Sequence, residues 1–127
     1  MLTGNFGMTD QKIFFGTYAF FGIINGVPSY SGFQGASAVT TIFNLAEMNY
    51  AMKREGKKEA EEYTRKFWAF LTDVTSDDIS NAANLRLEKK ALSMPDAIGY
   101  IVAKRLGLRF LTGDKEFEKM GNVEYVK

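Results

Sequence analysis

Apolar residues fall along this chain in short runs separated by helix-length amphipathic stretches, and the runs mark the strands. Ile13-Phe14-Phe15 is continuous and closed by Gly16-Thr17, the pattern of a strand buried on both faces. Tyr18 to Ile24 reads as a short helix that stops near Asn25-Gly26-Val27-Pro28, before a Gly- and Ser-rich loop over 29–35. Ser37 to Thr40 predicts a second strand. It feeds a helix from Thr41 to Lys53, with Ile42, Leu45, Ala46, Asn49 and Met52 on one face and Glu47 off that stripe. A third helix is predicted from Lys57 to Leu71, supported by the acid-before-base spacings Glu61/Arg65 and Glu62/Lys66 and closed by Phe67, Trp68 and Phe70.

Thr75-Ser76-Asp77-Asp78 has capping-box form and opens a fourth helix through Ala82, Ala83, Leu85 and Leu87. Ser93-Met94-Pro95-Asp96 opens a fifth, which runs through Ile98, Ile101, Val102 and Leu106 to a stop at Gly107. Leu108 to Leu111 predicts a third strand, followed by Thr112-Gly113-Asp114, a helical turn, and a last strand from Val123 to Val126. Strands separated by helix-length segments imply parallel β-α units, hence an α/β fold with helices on both faces of the sheet.

Composition then narrows the chemistry. The 127 residues contain no Cys and no His, which excludes thiol nucleophiles, disulfides, Ser-His-Asp triads and most zinc enzymes. Carboxylates, Lys, Tyr, hydroxyls and hard oxygen-bound metals remain. An apolar fraction of 46% supports a globular core, and at this length roughly two thirds of the unfolded surface can be buried without staples. A net charge of +1 announces neither nucleic acid nor membrane. The distribution is uneven: residues 1–46 hold one acid, Asp10, and one base, Lys12, and the other 29 charged residues lie in 47–127. Residues 1–11 have neither the basic nor the apolar region of a signal peptide and are expected to be a flexible lead-in, with Met8 an alternative start, to a single domain over 12–127. The longest apolar stretch, Ile13 to Ile24, is 12 residues and too short to span a bilayer, so a cytoplasmic address with no membrane partner is expected.

In an open parallel sheet ligands bind beyond the carboxyl ends of the strands. Asp114 follows the third strand directly, and Asp96 and Glu47 sit in helices that can face the same rim. Three carboxylates converging from distant segments repel one another unless a divalent cation joins them. Each residue also has a plainer reading. Asp96 is the third helical position of a Ser93 capping box, Asp114 can cap the turn Lys115 to Lys119, and Glu47 can be a solvated helix side chain. The cluster Phe67-Trp68-Phe70 can be core or, in a plain α/β interaction module, a dimer surface.

Taken together, Ser93-Met94-Pro95-Asp96-Ala97-Ile98-Gly99-Tyr100 and Phe110-Leu111-Thr112-Gly113-Asp114-Lys115-Glu116-Phe117 resemble the closing half of PIN-domain proteins, which include the VapC-type toxin ribonucleases. Val39-Thr40-Thr41-Ile42-Phe43-Asn44-Leu45-Ala46-Glu47 is similar to the segment carrying that family's helical Glu, and Ile13-Phe14-Phe15-Gly16-Thr17 to its opening strand. The resemblance runs from about residue 12 to 127. It implies a three-layer α/β/α sandwich with a mostly parallel sheet and an acid cluster holding Mg²⁺ or Mn²⁺. Glu47, Asp96 and Asp114 match three ligands, and Thr17 and Thr112 are implied to hydrogen-bond behind them. The activity implied is endoribonuclease, hydrolysing RNA phosphodiesters through a metal-activated water. The partners implied are RNA, a VapB-like antitoxin and a second copy in a homodimer. The family's first acid falls at Gly16, a vacated ligand position. Asp10 is a poor substitute, because six extended residues span about 20 Å and place it at the opposite end of the strand. Weaker metal binding and reduced or absent turnover follow as expectations, with a catalytically disabled PIN domain that binds antitoxin or RNA as the alternative.

Overall fold

A computed structural model describes residues 12–127, so the lead-in and Asp10 lie outside the described residues. The element order is β1 (Lys12–Phe15), α1 (Thr17–Ile24), a 3-10 turn (Pro28–Phe33), β2 (Ser37–Val39), α2 (Ile42–Arg54), α3 (Ala60–Phe67), a second 3-10 turn (Trp68–Phe70), α4 (Ser76–Glu88), α5 (Met94–Arg105), β3 (Phe110–Thr112), a third turn (Lys115–Phe117) and β4 (Val123–Tyr125). The four strands form one sheet in the order β2-β1-β3-β4, with every pair parallel.

The alternation of side chains along the central strands divides the interior in two. Ile13, Phe15 and Leu111 face a core shared with Phe20 of α1, Leu45, Met48 and Met52 of α2, and Ala60 and Phe67 of α3. Phe14 and Phe110 face the opposite side, where Ala82, Ala97, Ile98, Val102 and Phe117 close over them. This is the expected three-layer sandwich, with α1–α3 on one face and α4–α5 on the other. Gly107, at φ +71°, makes the left-handed turn that releases the chain from α5 toward β3.

Three local expectations change. The predicted third helix is shorter and tightens into 3-10 geometry at Trp68. Phe67 is buried with its ring 4.7 Å from that of Phe20, whereas Trp68 stays 60% exposed, so the aromatic end is divided between core and surface. The buried stripe of α2 is rotated: Leu45 and Met52 are inside as expected, but Ile42 and Ala46 face out and Asn44, Met48 and Ala51 face in. The cause is that α2 packs against α5 as well as α1 and α3, and Asn44 hydrogen-bonds toward α5. Finally, Glu61 makes its ion pair with Lys53 of α2 at 2.8 Å.

The capping box at Thr75 is complete, and Asp78 within it accepts from Arg105 of α5 at 2.8–3.1 Å. The guanidinium holds this buried carboxyl below its usual range. Arg105→Ala leaves the Asp78 charge buried without its partner and is expected to cost about 2 kcal/mol, discounted for the partial exposure of Arg105. Thermal unfolding checks this as a Tm lowered by roughly 6–10 °C at neutral pH.

Candidate active site

The carboxyl ends of β1 and β3 open beside the N-termini of α1 and α5, and the acids collect there. Thr17, the first residue of α1, is buried, and its hydroxyl donates to Glu47 Oε1 at 2.6 Å, which turns this half-buried side chain of α2 toward the sheet edge. Ser93 caps α5 by accepting from the Asp96 N–H at 3.1 Å, which places Asp96 in the first helical turn with 7% of its surface exposed. Asp114 leaves β3 through an N–H bond to the buried Thr112 hydroxyl at 3.0 Å, and its own Oδ1 caps the following turn by accepting from Glu116 N–H at 3.0 Å. The plainer reading of Asp114 as a capping residue therefore holds alongside any chemical role, Asp96 sits at the third position behind the Ser93 cap, and Glu47 is tied by Thr17.

Glu47, Asp96 and Asp114 line one cleft of about 500 Å³ together with Thr17, Tyr18 and Ser93. Burial and the Glu47 charge, then Asp114, push the Asp96 carboxyl up to about 7 against the hydrogen bonds from Ser93. Asp96 thus feels the charge of both other acids across the cleft. Among the described residues, no group of three or more His, Cys, Asp or Glu is arranged to hold a metal ion. The donor chemistry suits a hard divalent cation, and the raised Asp96 marks negative charge that such a cation would relieve.

Position 16 lies at this rim. The space beside Gly16 is filled rather than open: a Cβ there would lie 2.7 Å from Phe110 Cζ and 3.2 Å from the Leu111 carbonyl oxygen. Two further residues of the site carry no sequence motif. Tyr18 stands at the mouth, and burial together with Asp114, Asp96 and Glu47 raises its phenol. Asn44 is fully buried beneath the acids and bonded to Thr17 and Pro95. The only signal for Asn44 in the sequence is a polar residue inside the run Ile42-Phe43-Asn44-Leu45-Ala46.

A family model described as the PIN domain matches residues 19–123. The chain belongs to the PIN domain family. No curated protein matches it. Solved structures share the fold, among them the three that follow. A toxin-antitoxin complex from Klebsiella pneumoniae is 20% identical with a TM-score of 0.70, over 88% of this chain and 95% of the other. VapC20 of Mycobacterium tuberculosis, a toxin that cleaves the sarcin-ricin loop, is 19% identical at TM-score 0.71, over 91% and 99%. VapBC2 of Rickettsia felis, bound to a DNA fragment from its promoter, is 19% identical at 0.65, over 92% and 100%. Among the described residues no helix is long and apolar enough to cross a membrane.

Proposed function

We propose that this PIN domain is an endoribonuclease of the VapC toxin type, acting with Mg²⁺ or Mn²⁺ in the cleft of Glu47, Asp96 and Asp114, in the cytoplasm, as a homodimer and under control of a VapB-like antitoxin. The observation that carries the reading is the opening of three carboxylates from α2, α5 and the end of β3 into one cleft, where burial first, and then the charges of Glu47 and Asp114, raise Asp96 to about 7. Its structural neighbours, described as toxins and toxin-antitoxin complexes, support the partner.

Glu47, Asp96 and Asp114 are the residues that would hold the cation, which when bound supplies an activated water and neutralises charge on the phosphate. The chain's own contribution is orientation. Thr17 fixes one oxygen of Glu47, Thr112 fixes the backbone of Asp114, and Ser93 fixes that of Asp96. Below about pH 7 Asp96 holds a proton that a cation must displace, so divalent affinity and cleavage are expected to rise with pH up to about 7 and then level off. Calorimetric titration of Mn²⁺ across pH 5.5–8 measures this.

The second reading, a catalytically disabled PIN domain that binds antitoxin or RNA, is favoured by the filled space beside Gly16. One experiment separates the two. Purified protein incubated with labelled single-stranded RNA and Mn²⁺ is expected to cleave it, and Asp114→Asn to slow cleavage about 100-fold, the scale of losing a few kcal/mol of charge stabilisation. A wild-type chain that binds the RNA and leaves it uncut supports the disabled domain.

A further inference from the structure

Asn44 occupies a position where packing alone would favour leucine. It is fully buried in α2, and burying an amide is costly unless its groups are satisfied. Here they are. Its Oδ1 accepts from the Thr41 hydroxyl at 2.7 Å, which holds the amide in one orientation. Its Nδ2 donates to the Pro95 carbonyl at 3.2 Å, one residue before Asp96, and more weakly to Thr17 Oγ1 at 3.4 Å. Thr17 in turn donates to Glu47 Oε1. Gly99 of α5 leaves the room this needs, since a Cβ there would lie 2.9 Å from Asn44 Oδ1.

One amide therefore joins three elements, the β1–α1 corner, α2 and the start of α5, the first two of which are also linked by the Thr17–Glu47 bond. Apolar packing constrains volume and shape, whereas hydrogen bonds also fix distance and direction between particular atoms. We propose that Asn44 is a positioning residue that sets the separation of Glu47 and Asp96, reaching Glu47 through Thr17 and Asp96 through Pro95. It touches neither substrate nor reacting atoms.

The test compares Asn44→Leu with Met48→Ala, a truncation of a fully buried residue one turn along α2 that makes no bond to the site. By calorimetry, Asn44→Leu is expected to weaken Mn²⁺ binding about tenfold, a loss of one positioning contact. Met48→Ala is expected to lower Tm at least as much and leave Mn²⁺ affinity at the wild-type value. Crystal structures of wild type and Asn44→Leu are expected to show the Thr17–Glu47 hydrogen bond lost and Pro95 displaced. Asn44→Val serves the same purpose if the leucine variant does not fold. The inference is overturned if Asn44→Leu keeps the Thr17–Glu47 bond with Asp96 in place, or if both variants change Mn²⁺ affinity equally. The calorimetric arm rests on the metal-binding reading above, and the crystallographic arm does not. Absence of Mn²⁺ binding by the wild type would count against that reading, and the crystal structures would still decide the role of Asn44.

Discussion

Asp96→Asn is expected to stabilise the protein at pH 8 by up to about 4 kcal/mol while removing the negative charge with which it would hold a metal. The folded-state value of about 7 lies above the ordinary 3.8, so between these values the folded chain holds a proton that the unfolded chain has released. Stability contributed by this group is complete below about pH 4, falls as pH rises to 7, and is absent above it. Asparagine stays neutral throughout, keeps the N–H bond to Ser93, and removes the repulsion with Glu47 and Asp114. Urea unfolding at pH 5 and pH 8 measures the difference. The wild type should lose stability between the two relative to the variant, and the variant should gain most at pH 8. Equal gains at both pH values would place the effect elsewhere than in the charge of Asp96.

Gly16→Asp carries the second large effect, and its direction separates a lost carboxylate from a repacked corner. The incoming Cβ meets Phe110 Cζ at 2.7 Å. That ring is fully buried against Phe14, Tyr100 and Phe117, with centroids 4.8–5.9 Å away, so a shift disturbs this aromatic cluster. Overpacking of this kind costs about 1–3 kcal/mol, and a further carboxylate beside three others adds to it. The expected result is a Tm lowered by roughly 10 °C with little or no gain in Mn²⁺ affinity. Gly16→Ala should show the packing part alone. Combining Gly16→Asp with Phe110→Leu frees the space and should bind Mn²⁺ more tightly than Gly16→Asp itself. If Gly16→Asp melted at the wild-type temperature, the corner would be open and the glycine a simple loss of one acid.

Much of this was legible in the sequence because it is written in local patterns. The apolar runs at Ile13-Phe14-Phe15 and Phe110-Leu111 gave the central strands, and Ser93, Thr75 and Asp114 marked turn and helix starts that the structure places within a residue or two. Motif order brought Glu47, Asp96 and Asp114 to one rim, where the cleft now joins them. What escaped depends on contacts between distant segments. The inward face of α2 is not legible in its periodicity, because the bonds from Asn44 to Pro95 and Thr17 draw a polar residue inward, and no periodicity encodes a partner 51 residues away. The same holds for Gly16, where the sequence shows an absent carboxylate but not the ring of Phe110, 94 residues on, that has taken the space. Glu61 likewise turned from its helical neighbour Arg65 to Lys53 on the adjacent helix.

The most direct test of the cleft as a metal site is crystallographic. Crystals soaked in Mn²⁺ at pH 8, with data collected for anomalous scattering, should show a peak bound by carboxylate oxygens of Glu47, Asp96 and Asp114, with these side chains drawn together from their separate hydrogen bonds. A cleft without a peak under conditions where Mn²⁺ binds elsewhere on the protein, or a peak that persists unchanged in Asp96→Asn and Asp114→Asn crystals, would contradict it.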